Sequence, residues 1–146
     1  MATFVSTQLT NSPNVAQGVH PGNMIAFHWE VPVTAAPALN DVLQFGKVPK
    51  GFRVMGGMFR GTDMDSSTGL RFTAGDADDT DRLFASADIA TATGGAVVST
   101  IALAGAQYLY PAETLITGLV STGPTGTGAA GTVYLSLWGR YEGAAS

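Results

Sequence analysis

The chain has 146 residues, enough for one domain around a single core, and no cysteine, which excludes disulfides and thiolate metal sites. Charged residues make up 12%, about half the usual share, and the net charge is −4 with only seven basic residues, scattered through the chain, so the concentrated basic footprint of a nucleic-acid binder is missing. No apolar run approaches the ~20 residues of a membrane helix. A chain this poor in charge is expected to hide much of its surface against partners, in an oligomer or a larger lattice.

Residues 1–23, MATFVSTQLTNSPNVAQGVHPGN, carry no charged side chain. Phe4 and Val5 start a strand, but Asn11, Ser12, Pro13, Gly18, Pro21 and Gly22 punctuate the rest of the segment. An extended arm is expected here, laid along a neighbour, with residues 24–146 forming one β-sandwich domain. The start lacks the basic and apolar regions of a secretory signal. Synthesis in the cytoplasm is expected, followed by retention there or export inside or upon a larger particle.

Residues 24–33, MIAFHWEVPV, alternate as a strand, with Ile25, Phe27, Trp29 and Val31 on one face and Ala26, His28 and Glu30 on the other. Pro32 cannot donate to a ladder, so this strand belongs at an edge or ends there. Residues 34–40 form a loop and 41–48 return as a strand. Pro49-Lys50-Gly51 is a turn in which glycine tolerates positive φ. Residues 52–59 continue the alternation, placing Phe52, Val54, Gly56 and Met58 on one face and Arg53, Met55, Gly57 and Phe59 on the other. Gly56-Gly57 marks a bulge or a close backbone approach. After the polar loop 60–67, residues 68–74 alternate again, with Leu70 and Phe72 inward.

Fourteen of the 18 charged residues fall between Asp41 and Asp88, and the run GDADDTDR at 75–82 is the densest acidic stretch. Asp76, Asp78 and Asp81 offer oxygens in the manner of a calcium loop, but the glycine at its sixth position and the acid at its twelfth are missing. A structural turn fits better: Asp76 or Asp78 caps a short helical turn and Arg82 pairs with an aspartate. No metal or other cofactor is expected.

Residues 83–88 bring Leu83 and Phe84 over the core as a lid, and 89–96 form a small-residue loop. Residues 97–103 and 107–110 read as strands joined at Gly105. A turn at 111–113 leads into strand 114–120, with Leu115 and Leu119 opposite Ile116 and Val120. Residues 121–131, STGPTGTGAAG, read as a flexible hairpin tip. In the last strand, 132–141, Val133, Leu135 and Leu137 face in, while Tyr134, Ser136, Trp138 and Arg140 face out. Outward Tyr134 and Trp138 await cover, either by a partner or by the arm. Together with Phe4, Val5 and Trp29 they are the candidate interface residues.

Eight or nine short strands between Gly/Pro turns indicate an all-β fold, an antiparallel sandwich or jelly roll, with a closed barrel as the alternative. The chain shows no nucleophile–base pair, and its two histidines stand beside no plausible nucleophile or acid, so no enzyme activity is expected. The glycine-rich stretches lack the strand–loop–helix setting of nucleotide loops.

The order PKGFRVMGG (49–57), TGLRFTAGDADDTDRLF (68–84), YPAETL (110–115) and GTVYLSLWGRYE (131–142) resembles small virion structural proteins of tailed bacteriophages, in particular head decoration, or cement, proteins with jelly-roll folds. The resemblance covers about residues 40–142 and none of the first 23. It implies a non-enzymatic role on the capsid surface, often as a trimer, holding neighbouring major capsid subunits together after synthesis in the host cytoplasm. Two other readings compete with it. One is a tail, neck or fibre component of the same particle. The other is a carbohydrate-binding sandwich, with Trp29, Tyr108, Tyr110, Tyr134 and Trp138 as a stacking platform.

Overall fold

The computed structural model describes residues 1–11, 23–92 and 97–143. In chain order the elements are β1 (Thr3–Val5), α1 (Thr7–Asn11), β2 (Met24–Val33), β3 (Val42–Val48), β4 (Phe52–Gly61), β5 (Arg71–Gly75), β6 (Phe84–Ala87), β7 (Thr114–Thr122) and β8 (Gly131–Tyr141). They form two sheets, one of five strands in the order β1-β3-β7-β5-β6 and one of three in the order β2-β8-β4. The chain is thus an all-β sandwich. Every pairing is antiparallel except that of β1 with β3, which is parallel.

The alternation of the strands creates the core. Phe59 of the three-stranded sheet inserts its ring among Phe45, Phe72 and Phe84 of the other sheet, at centroid distances of 6.1, 6.5 and 5.3 Å. Around them pack Val31, Leu43, Val54, Ile116, Val133, Leu135 and Leu137, all buried. β2 and β8 pair along their whole length, from Met24 opposite Arg140 to Val33 opposite Gly131. β2 is an edge strand, as Pro32 requires.

The faces of β4 differ from simple alternation. The register with β8 shifts between Val54 and Gly56, so a bulge stands where the glycine pair signals one. One extra residue reverses the order beyond it. Phe52, Val54, Gly57 and Phe59 face in, whereas Arg53, Met55, Met58 and Arg60 face out. The expectation that Met58 shares a face with Phe52 and Val54 is therefore corrected, and Phe59 takes its place in the core.

Residues 97–103 and 107–110 are not strands. They make single bridges to β4, Val98 with Phe59 and Leu109 with Arg53, on either side of a run of turns in which Gln107 has φ 58°. Tyr110 and Gln107 donate to Phe52 and Val54, at 2.9 and 3.0 Å, and Val54 donates to Tyr108 at 3.0 Å. The segment thus covers the outer edge of β4, which would otherwise present open backbone groups. Residues 121–131 likewise do not close a hairpin. β7 and β8 belong to different sheets, so this stretch crosses from one layer to the other.

Of the expected arm, residues 12–22 lie outside the described residues, and residues 3–11 are built into the sandwich. Ser6 caps α1, its Oγ accepting from Leu9 N at 2.9 Å while donating to the carbonyl of Phe45. Gln8 of α1 accepts from the backbone N–H of Glu30 at 3.0 Å on the free edge of β2.

Candidate functional site

Two features gather the polar and the exposed apolar groups: the loops tied by buried aspartates, and the outward face of the β2-β8-β4 sheet.

Asp65 is buried and accepts from five backbone N–H groups. Those of Ser67, Gly69 and Leu70 reach it at 3.0, 3.2 and 3.0 Å, and those of Thr125 and Gly126 at 3.2 and 2.9 Å. Burial alone would raise this carboxyl, but the N–H donors hold it down at about 2. Residues 121–131 are therefore pinned to loop 62–70, which overturns the reading of a flexible tip. Asp41 does the same elsewhere, accepting from Ala2 N and Ala38 N at 2.7 and 2.9 Å.

The acidic run 75–82 is organised by Asp76. Its Oδ1 accepts from the N–H groups of Asp78 and Asp79, each at 3.0 Å, and its Oδ2 from Arg82 Nε at 2.7 Å. This is a turn capped by an aspartate, not a helical one, with Arg82 paired as expected. The Arg82 guanidinium also lies 4.0 Å from the centre of the Tyr108 ring. Asp78 and Asp81 remain exposed, and a hydrogen bond with Asp79 raises the Asp81 carboxyl above its ordinary value. With Asp76 engaged in capping and pairing, the three calcium candidates do not converge. Among the described residues no group of three or more His, Asp or Glu stands where it would hold a metal ion.

On the outward sheet face, the bulge and the strict pairing of β8 bring together side chains from three strands. Trp138 lies against Gly56, opposite it in register and opposite Ala26 of β2. Both neighbours are small, and the indole lies over Gly56. In the next row His28 Nδ1 and Ser136 Oγ are 2.7 Å apart, a cross-strand pair of directly opposed residues. In the row beyond, the Arg60 guanidinium sits 3.9 Å from the centre of the Tyr134 ring, and His28 stacks on the same ring at 6.2 Å. At the far end Arg53 binds Glu142 through two bonds of 2.6 and 3.0 Å, which raises the arginine and lowers the carboxyl. The exposed apolar side chains here are Met24 (62% exposed), Met55 (51%), Met58 (39%) and Trp138 (36%).

The structure separates the five candidate interface residues. Tyr134 and Trp138 share the outward face. Trp29 is buried, stacked on Phe27 at 5.2 Å with its indole over Gly46, so it belongs to the core. Phe4 packs half-buried against that core, and Val5 stands at the sheet's edge strand. The aromatic platform disperses for the same reason. Trp29 and Tyr110 are buried, and Tyr108 packs edge-on against Tyr110 at 4.9 Å beneath Arg82. The sequence reading missed Met24, Met55 and Met58 as members of the face. The signal was the bulge, whose effect on residue order places Met55 and Met58 outside together.

The same two-sheet fold occurs in chains of two phage capsids. A chain of the cyanophage Pam1 capsid asymmetric unit matches with a TM-score of 0.73 at 20% identity, over 89% of this chain and 94% of that one. A chain of the capsid of Ralstonia phage GP4 matches with a TM-score of 0.77 at 18% identity, over 95% and 98%. At such identities the likeness is one of fold. No family model matches the chain, and neither does any curated protein.

Proposed function

We propose that this chain is a structural protein of a tailed-phage particle, made in the host cytoplasm, that decorates the capsid surface as a homotrimer and cements neighbouring major capsid subunits. The observation that carries the reading is a fold likeness spanning nearly the whole of both chains, to proteins of two phage capsids. The charge-poor composition and the apolar sheet face support it, because a cement holds by many modest contacts multiplied through symmetry. The role is architectural: no chemistry is assigned to any side chain.

Co-sedimentation of the purified protein with heads and, separately, with tails of the parent phage tests this, with copies counted on quantitative gels. Hundreds of copies on heads and a trimer by light scattering are expected. A handful of copies on tails or necks would make it a connector or fibre part. Binding to neither, with retention on a glycan array, would return the sugar-binding reading.

A further inference from the structure

We propose that the outward face of the β2-β8-β4 sheet is the surface that docks on the shell, and that its occupant is a protein surface carrying carboxylates around an apolar centre. This rests on the capsid-associated reading above and adds the face and the chemistry of its partner.

Three observations lead to it. First, Met24, Met55, Met58 and Trp138 all project from this one face, whereas Leu39, Val97 and Leu103 stand on separate loops and Val5 on the edge strand of the other sheet. Single exposed apolar residues need no partner, but a contiguous group marks an interaction site. Secondly, the composition leans toward that of an interface core, which favours methionine, aromatics and arginine over lysine, glutamate and aspartate. The outward positions of these strands include Tyr134, Trp138 and three arginines; Glu30, in the row of Tyr134, is the one carboxylate among them, and there is neither a lysine nor an aspartate.

The third observation concerns charge. Of the seven basic residues, Lys47, Arg53, Arg71 and Arg82 are paired with carboxylates. Among the described residues Lys50, Arg60 and Arg140 have no carboxylate within ion-pair distance. Lys50 stands on the turn before β4, and both arginines belong to this face. Arg60 is stacked on Tyr134, an arrangement that leaves its in-plane N–H donors free. Arg140 lies near Glu142, whose carboxylate is held by Arg53 at both oxygens. By the register on β8, the rows of Arg140 and Arg60 are six residues apart, about 20 Å at roughly 3.4 Å per residue. The two arginines thus frame Trp138 and the methionines.

Two cations around an apolar centre call for carboxylates around an apolar centre, and arginine binds a carboxylate bidentately. A second copy docked face to face would set Arg60 and Arg140 of each copy against those of the other with only Glu30 on each side to offset them, a like-charge contact that costs affinity. Nucleic acid would find too few phosphate contacts, since its affinity grows with each phosphate neutralised.

The five methionines of the chain provide the test. Phage heads lacking the protein are loaded with the full chain, treated with dilute peroxide and compared with the free chain by mass spectrometry of each methionine. Met24, Met55 and Met58 are expected to oxidise several-fold more slowly on heads, while fully exposed Met1 stays fast and buried Met64 stays slow in both. The double variant R60E/R140E, with an unchanged melting curve, is expected to bind heads about tenfold more weakly or worse. Loaded heads on which the three methionines react as in the free chain would overturn the proposal and leave the capsid reading intact. So would protection that appears in the free chain as its concentration rises, which would assign the face to a second copy. Heads that fail to bind the wild-type chain at all would overturn the capsid reading, and the proposal with it.

Discussion

The two faces of the three-stranded sheet are made by alternating residues of the same strands, yet they treat their large side chains in opposite ways. Inward, Phe59 and Leu137 are buried among the aromatic rings of the facing sheet. Outward, Met58 and Trp138 are exposed, and among the described residues Arg60 and Arg140 have no carboxylate within ion-pair distance. The loops at the two ends of β5 follow the inward rule: Asp65 and Asp76 are buried and have their acceptors filled by N–H groups or by Arg82. The difference separates stability from association. The satisfied groups hold the sandwich together, and the unsatisfied ones are available to something else.

Neighbouring residues of β4 test that separation most severely. Phe59→Ala is expected to cost about 3–5 kcal/mol, the range for emptying a core aromatic site, measured by urea denaturation. Met58→Ser, one residue away, should move stability by no more than about 0.5 kcal/mol and act on head attachment instead. Equal losses from the two would erase the distinction between the faces.

The ion pair at the acidic turn comes next. Arg82→Met removes the partner of a buried carboxylate, and about 3 kcal/mol of destabilisation is expected. Loss of affinity without loss of stability would move this turn to the associating side.

Asp65 gives a smaller, pH-dependent effect. Its folded carboxyl lies at about 2 against an ordinary 3.8, so the ionised form is the one the fold prefers. The stabilisation is complete above roughly pH 4 and is lost as pH falls through about 2. Melting temperatures recorded between pH 2 and 6 should show this acid-side decline in the wild type and a flatter profile in Asp65→Asn. Parallel profiles would mean that the N–H groups around Asp65 do not favour its charge. The mildest effect is that of salt on attachment: head binding should weaken gradually as ionic strength screens Arg60 and Arg140, while the melting temperature changes little.

Much of this architecture is readable from local pattern. The span 24–33 alternates without interruption and is β2. Pro49-Lys50-Gly51 turns as its residues demand, with Gly51 at φ 88°, and Gly56-Gly57 announces the bulge. What local pattern does not carry is which sheet a strand joins. Residues 121–131 have the composition of a hairpin tip, yet they link two layers, because β8 finds β2 and β4 as partners rather than β7. Residues 97–110 have strand-like residues but lie along β4 through isolated bridges, held by φ 58° at Gln107. Asp65 was invisible as a centre because Thr125 and Gly126, which supply two of its donors, are some 60 residues away. On the outward face, Tyr134 and Trp138 were legible from alternation, whereas Met55 and Met58 required the bulge to be carried through the count.

The position of β8 also governs how the molecule is made. Of the three strands of its sheet it is the last in chain order and the middle one in space, between β2 and β4. β4 is complete about 70 residues before β8 begins, a wait of roughly 4–14 s at ordinary rates of translation. During that interval β2 and β4 have no neighbour to pair with in their sheet, and the rings of Trp29 and Phe59 have no finished layer to enter. The ribosome thus delivers the keystone of this sheet after both its neighbours, and until it arrives the edges of β2 and β4 that it will join stand unpaired.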